Sequence, residues 1–216
     1  MAFFLSNELG FPDTEWADED GLLAVGGDLS MERLLLAYRS GIFPWYNEGD
    51  LIEWWCPNPR FVLLPQHLKI SKSMRQLLRR NAFDFTINKA FTSVMENCRS
   101  IPREGQPSSW IHPEMITAYT QLHQAGYALS AEAWQEGQLV GGLYGVLLGK
   151  IFFGESMFSA VSNASKYAFI KLVAHLQTQG IVLIDCQMHT PHLESLGAGF
   201  IERSLFLKCL ESFVHD

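Results

Sequence analysis

Between Ala128 and Ser156 the chain reads "ALSAEAWQ", "LVGGLYGVLL" and "KIFFGES", three apolar-rich runs separated only by "EGQ" and Gly149. Runs of this length, joined by two or three residues that include glycine, fold back on one another as adjacent strands. The middle of the chain is therefore a meander, and the rest has to be arranged around it. Upstream, "FDFTI" reads as a strand, and Asn88 caps the helix "KAFTSVMENCRS". A Pro/Gly/Ser loop, "IPREGQPSS", then leads to Trp110. Pro113 opens the helix "EMITAYTQLHQAG", whose apolar positions Met115, Ala118, Tyr119 and Leu122 share one face. Downstream come a helix from Ala164 to Gln179, the wholly apolar strand "IVLID", the short helix "TPHLESLG", the segment "GFIERS" and a last helix. The order β-α-α-β-β-β-α-β-α-β describes one mixed sheet with helices on both faces, an α+β fold.

The chain ahead of this pattern is different in kind. Residues 1–65 read as a small, turn-rich lobe, and residues 66–216 as the larger domain. In the lobe, "GLLAVGGD" closes on Gly26-Gly27, and "SMERLLLAYRSG" is a helix with Ser30 as N-cap and Gly41 just past its end. Trp45, Tyr46, Trp54 and Trp55 then fall among Pro44, Pro57 and Pro59, which disfavour regular structure nearby. Aromatics on such backbone serve either as the walls of a binding site or as the mini-core of a loop-rich lobe.

Composition narrows the function classes. With 48% hydrophobic and 18% charged residues the chain can build a core. It shows no run of roughly 18 apolar residues of the kind a membrane span requires. The opening "MAFFLSNELGFPDTEWADEDG" lacks a basic segment and turns acidic at once, unlike a signal peptide. Cys56, Cys98, Cys186 and Cys209 are scattered, which favours free thiols in a reducing cytoplasm. The formal net charge is −7, yet residues 54–83 contain no acidic residue and six basic ones. Those six are Arg60, Lys69, Lys72, Arg75, Arg79 and Arg80. A local positive stripe on an acidic protein engages a phosphate-rich partner at one place; the alternative is a solvated helix face.

Four stretches carry candidate chemistry. In "FFGESMFS" Glu155 stands at the end of an apolar strand beside Gly154, where a carboxylate needs a partner. "IDCQ" ends a buried strand, and Asp185 and Gln187, two apart, share a face there. A carboxylate and an amide so placed orient an amine or hold a carbonyl, or else cap a helix. "DCQMHTPH" gathers Asp185, Cys186, His189 and His192, but alternation points Cys186 away from Asp185 and no usual metal-ligand spacing appears, so no metal site is assigned. In "GGLYGVLLG" the glycines lie between strands rather than before a helix, which argues against a phosphate loop. They instead let another backbone or a ligand approach the sheet.

Taken together, "GLLAVGGDLS", "RLLLAYRSGIFPWY", "WWCPNPR", "SWI", "LVGGLYGV", "FFGESMFS", "NASK", "LIDCQ" and "HLESLGA" resemble the leucyl/phenylalanyl-tRNA–protein transferase family. They occur in order from Gly21 to Ala198, most of the chain. The resemblance implies a cytoplasmic, monomeric enzyme with a small N-terminal lobe on a domain related to the acetyl-CoA N-acyltransferases. It implies transfer of Leu or Phe, and in some members Met, from aminoacyl-tRNA to proteins with N-terminal Arg or Lys, marking them for degradation. No cofactor, metal or membrane is implied. By motif, Asp185 and Gln187 are the catalytic pair, and Glu155, Trp45 and Trp110 bind the acceptor. Leu143, Phe152, Phe169, Leu172, Leu176 and Ile184 form the donor aminoacyl pocket. Lys69, Lys72, Arg75, Arg79 and Arg80 are the stripe expected to hold tRNA phosphates. The chain departs from the family pattern at Cys56 and Ala131, at Leu143, where Met is often found, and at Leu172 and Leu176, where aromatics occur in some members. A CoA-dependent N-acyltransferase on the same scaffold fits less well, because no Q/R-x-x-G-x-G/A loop precedes the helix after "FFGES". A non-catalytic adaptor for basic N-termini would have no use for "IDCQ".

Overall fold

The computed structural model describes residues 2–101 and 109–214. Most of the loop expected over 101–109 therefore lies outside the described residues. The meander forms as expected, from β7 (Ala128–Gln135), β8 (Gln138–Leu148) and β9 (Ile151–Ser159) in antiparallel register. Its first turn is the two-residue loop Glu136-Gly137, both at positive φ, the pairing whose twist matches a hairpin.

The meander is the centre of a seven-stranded sheet. β6 (Asp84–Ile87) flanks β7 on one side. On the other, β10 (Leu183–Gln187) runs parallel to β9 after the crossover helix α5 (Ala164–Thr178). β5 (Arg60–Leu63) and β11 (Gly199–Ile201) complete the sheet beyond β10. β5 thus joins the large sheet although it falls ahead of residue 65, the expected boundary of the lobe.

Helix α5 covers one face, burying Tyr167, Phe169, Leu172, Val173 and Leu176. Gly141 of β8 lies under its first turn, where a Cβ would come within 2.5 Å of the Ala164 methyl. Gly145 lies against the Phe152 ring at 2.6 Å in the same sense. Both glycines let other protein groups approach the sheet. The opposite face carries α3 (Phe91–Ser100), α4 (Pro113–Gln124) and the small lobe. Each fully buried large side chain in these two clusters is worth about 1.5–3 kcal/mol over exposure.

Local start signals are mostly obeyed. Ser30 caps α1 (Met31–Arg39), Pro113 opens α4, and Ser71 caps α2 (Lys72–Arg79), accepting from Met74 N at 3.2 Å. Asn88 does not cap α3. It sits in the left-handed region at φ 60, and its Oδ1 accepts from Ser130 N at 3.0 Å instead. The lobe is also more regular than its prolines suggest. β1 (Phe3–Leu5), β2 (Leu22–Gly26), β4 (Glu53–Trp55) and β3 (Phe43–Pro44) make a four-stranded sheet with Pro44 on an edge strand, where its missing N–H costs no ladder bond. A short helix α6 (Pro191–Ser195) precedes β11, and α7 (Arg203–Phe213) closes the fold. Among the described residues no helix is long and apolar enough to cross a membrane.

Candidate active site

Two bulges at the same level of the sheet make the site. Between β8 and β9 the register runs from Tyr144↔Ser156 to Gly145↔Gly154, leaving Glu155 as the extra residue. Between β5 and β10 it runs from Asp185↔Val62 to Gln187↔Phe61, leaving Cys186 unpaired. The parallel pairing of β9 with β10 stops at Phe153↔Asp185, so the strands lose their ladder where both bulges begin. A bulge re-aims a side chain, and ligands bind outside the carboxyl ends of parallel strands.

Glu155 is caged by three polar side chains from three other elements. Tyr38 Oη of α1 donates to Oε1 at 2.8 Å and Gln187 Nε2 of β10 to the same oxygen at 2.7 Å. Tyr119 Oη of α4 lies 3.2 Å from Oε2, and the two tyrosine hydroxyls are hydrogen-bonded to each other, so two phenol protons serve three contacts. Burial pushes the Glu155 carboxyl up to about 7; donation from Tyr38 and Gln187 pulls the other way, while the charge of Asp185 adds to the rise. Burial, then the charge of Glu155, holds both phenols well above their usual value, so they stay protonated donors.

Asp185 is held from behind. Arg60 Nε donates to Oδ1 at 2.8 Å and its Nη2 to Oδ2 at 2.7 Å, with both residues fully buried. Arg60 Nη1 also donates to the Gly41 carbonyl at 3.0 Å, just past the end of α1. The guanidinium lies between the Phe43 and Phe206 rings, 4.8 and 4.6 Å from their centroids. Burial lowers the Arg60 pKa, but Asp185 more than offsets this and keeps the guanidinium charged. Asp185 Oδ1 further accepts the Gln187 backbone N–H at 2.9 Å, fixing a residue whose φ is +60.

Gln187 and Glu155, expected separately, are thus brought into direct contact. Arg60 was counted with the basic stripe; it belongs to the interior. In the sequence Tyr119 belongs to an apolar helix face and Tyr38 only to a helix. A hydroxyl on each of these helices was the available signal, because a buried phenol seeks a partner. Trp110 is buried in the first cluster. Trp45 is partly exposed, packs on Trp55 with ring centroids 5.6 Å apart, and accepts Trp55 Nε1 at its carbonyl. The aromatic stretch therefore serves at least as a mini-core.

Leu143, Phe152, Phe169, Leu172, Leu176 and Ile184 come together in the second cluster between the sheet and α5, each 2% exposed or less. Lys69, Lys72, Arg75, Arg79 and Arg80 are all exposed on and beside α2, which packs on α5 through its buried Met74. The group in "DCQMHTPH" is drawn apart. Asp185 faces Arg60, Cys186 is buried in the second cluster with its thiol pushed up by burial, and His189 pairs with Glu194 at 3.0 Å.

The family described as Leucyl/phenylalanyl-tRNA protein transferase matches residues 62–211, and its N-terminal domain matches residues 27–58. A protein named "Leucyl/phenylalanyl-tRNA--protein transferase" from Flavobacterium johnsoniae is 55% identical over 210 residues, 97% of this chain and 99% of its own. One of the same name from Syntrophobacter fumaroxidans is 56% identical over 208 residues, 96% of this chain and 89% of its own. Among solved structures, an acetyltransferase of the GNAT family from Colwellia psychrerythraea aligns with 82% of this chain and 62% of its own, at 14% identity and a TM-score of 0.42.

Proposed function

This chain belongs to the leucyl/phenylalanyl-tRNA–protein transferase family, and on that premise we propose how its site works. It moves Leu or Phe, with Met as a further donor, from aminoacyl-tRNA to proteins bearing N-terminal Arg or Lys, marking them for degradation in the cytoplasm. The ester of the donor is already activated. The acceptor's amine nitrogen bonds to the carbonyl carbon, the bond to the ribose oxygen breaks, and the amine's proton ends on that oxygen. The residues have only to bind, orient and discriminate.

The observation that carries the reading is the caged carboxylate at the mouth between β9 and β10. Gln187, Tyr38 and Tyr119 fill at most three of about four lone-pair positions on Glu155, leaving Oε2 able to accept one more. The guanidinium or ammonium of the acceptor's first residue takes that position, and Trp45 and Trp110 line its approach. Gln187 directs its amide N–H to Glu155, so its Oε1 is left to accept from the acceptor's α-amine. Asp185 is a positioning residue that acts through the Gln187 backbone. The direct test mixes the protein with Phe-tRNA and an Arg-initiated peptide in the absence of CoA. A Phe-Arg product is expected, and none with competent donors would overturn the reading.

The donor's side chain enters the apolar cluster of Leu143, Phe152, Phe169, Leu172, Leu176 and Ile184, which offers it no charged partner. Burying a Leu or Phe side chain contributes about 1.5–3 kcal/mol, whereas a charged one is penalised by desolvation, so Leu-tRNA is expected to outrun Lys-tRNA by about 100-fold or more in kcat/KM. Comparable rates from the two would misplace the pocket.

The exposed stripe on α2 holds the phosphates of the tRNA acceptor arm. Arg75 and Arg79, four apart, share a helix face. Replacing both by Ala is expected to raise KM for charged tRNA several-fold at low salt, an effect that fades as salt rises. Aminoacyl-adenosine, which lacks those phosphates, should be used as well as before. Equal losses with both donors would make the stripe a solvated face.

A further inference from the structure

A second acidic feature stands where α4 begins and has no part in the scheme above. Tyr46, Glu48, Asp50, His112, Pro113 and Glu114 line a cleft of about 290 Å³. Its rim is acidic and exposed, at Glu48, Asp50 and Glu114. Its inner residues are Tyr46, 6% exposed, and His112, 3% exposed, with their rings edge to face at 4.7 Å. The Tyr46 hydroxyl and His112 Nε2 are both buried without a hydrogen-bond partner among the described residues. Buried polar atoms are ordinarily paired, so two orphans in one cleft point to a ligand that supplies donors or acceptors. Burial lowers the His112 pKa, so the imidazole is neutral at pH 7. Arg99 stands 3.9 Å from Glu48, both well exposed, and leaves the rim net acidic.

The cleft is tied to the Glu155 site by one rigid element. Pro113 and Glu114 form the first turn of α4, and Tyr119 on the same helix contacts Glu155. Five or six residues of helix rise about 7.5–9 Å along the axis. In an extended peptide, side chains two residues apart share a face and lie about 6.6–7 Å apart along the chain. We propose that this cleft is a second acceptor subsite, which takes the basic side chain at the third residue of the acceptor protein while Glu155 takes the first. The proposal rests on the reading of Glu155 as the acceptor's anchor. A Lys or Arg there meets the rim carboxylates with its charge and the two orphaned atoms with its N–H groups and bound water.

The test uses three peptides that share N-terminal Arg-Ala and differ at the third residue, which is Lys, Ala or Glu. With wild-type protein and saturating Phe-tRNA, KM is expected to be lowest for Lys and highest for Glu. Each step should be about 3- to 10-fold, the range for one or two partly exposed charge pairs. The spread should narrow as salt rises. In the double variant Asp50→Asn/Glu114→Gln the three KM values should converge, with kcat and the KM for Phe-tRNA unchanged. Tyr46→Phe should also weaken the Lys preference while leaving Tm equal or higher, because it removes an unpaired buried hydroxyl. Equal KM values in the wild type, or a spread that survives in the double variant, would overturn the subsite and leave the Glu155 reading standing. Failure of all three peptides to accept Phe would overturn the Glu155 reading and the subsite with it.

Discussion

Replacing Glu155 by Gln is expected to cut kcat/KM for Arg- and Lys-initiated acceptors by about 30- to 5,000-fold, the equivalent of about 2–5 kcal/mol for losing one partner of a desolvated charge pair. Binding of charged tRNA should not change. The cage accommodates the amide. Gln Oε1 can accept from Tyr38 and Gln187 as the carboxylate does. Its NH₂ faces Tyr119, whose hydroxyl then accepts from the amide and donates to Tyr38. The stability signature has a sign that can be worked out. The folded carboxyl titrates at about 7 against 4.5 when unperturbed, chiefly because burial disfavours its charge. Between those values the folded state binds more protons than the unfolded one, so Glu155 costs stability as pH rises through that window. Below about 4.5 the cost is absent; above about 7 it is complete. Wild type and Glu155→Gln should therefore melt together near pH 4.5, and the variant should melt higher at pH 8. The same titration shapes activity. Acceptor kcat/KM in the wild type should climb through about pH 7 as the carboxylate forms. It should climb again near the α-amine's own value of about 7.7–8.0. In the variant only the second rise should remain. A variant that melts lower at pH 8 with normal acceptor kinetics would return Glu155 to the scaffold.

What the sequence revealed was the part of the structure with local causes. Ser30, Ser71 and Pro113 start their helices because a cap or an N1 proline acts within one turn. The meander was plain because its turns are short and its strands apolar. "IVLID" read as a buried strand, and its last three residues open β10, between β9 and β5. Asn88 misled because its side chain had a better partner across the sheet, in Ser130, than in the helix it precedes. The small sheet of the lobe was hidden by prolines that an edge strand and the connecting turns tolerate. At the site, alternation correctly set Asp185 with Gln187, but a period of two has no room for an extra residue, so the bulges at Glu155 and Cys186 could not be read from it. Nor could the partners be found locally. Arg60 and Asp185 are 125 residues apart, and Tyr38 and Tyr119 are 81 apart. Composition placed Arg60 among neighbours that are solvated, when only tertiary structure decides which of six cations turns inward.

The second large effect is expected at Arg60, whose substitution separates stability from alignment. Arg60→Met leaves Asp185 charged and unpaired in the interior, which typically costs about 3–5 kcal/mol. For a chain of this size that lowers Tm by about 6–20 °C, at roughly 2–4 °C per kcal/mol. The methionine itself fits, since the guanidinium it replaces lies between the rings of Phe43 and Phe206. Removing the stranded charge as well, in Arg60→Met/Asp185→Leu, should recover most of the lost Tm, because an apolar pair often matches a buried ion pair. Transfer activity should not recover with it. Without the Asp185 carboxylate, nothing holds the Gln187 N–H, and a non-glycine residue at φ +60 relaxes to a commoner conformation. Its amide then loses its aim at Glu155. The loss should fall on kcat, with KM for charged tRNA unchanged, because the basic face of α2 is untouched. If activity returns in step with Tm, the Arg60–Asp185 pair is only a strut. If Tm returns and kcat does not, the pair is what sets the geometry in which Gln187 meets the acceptor's amine.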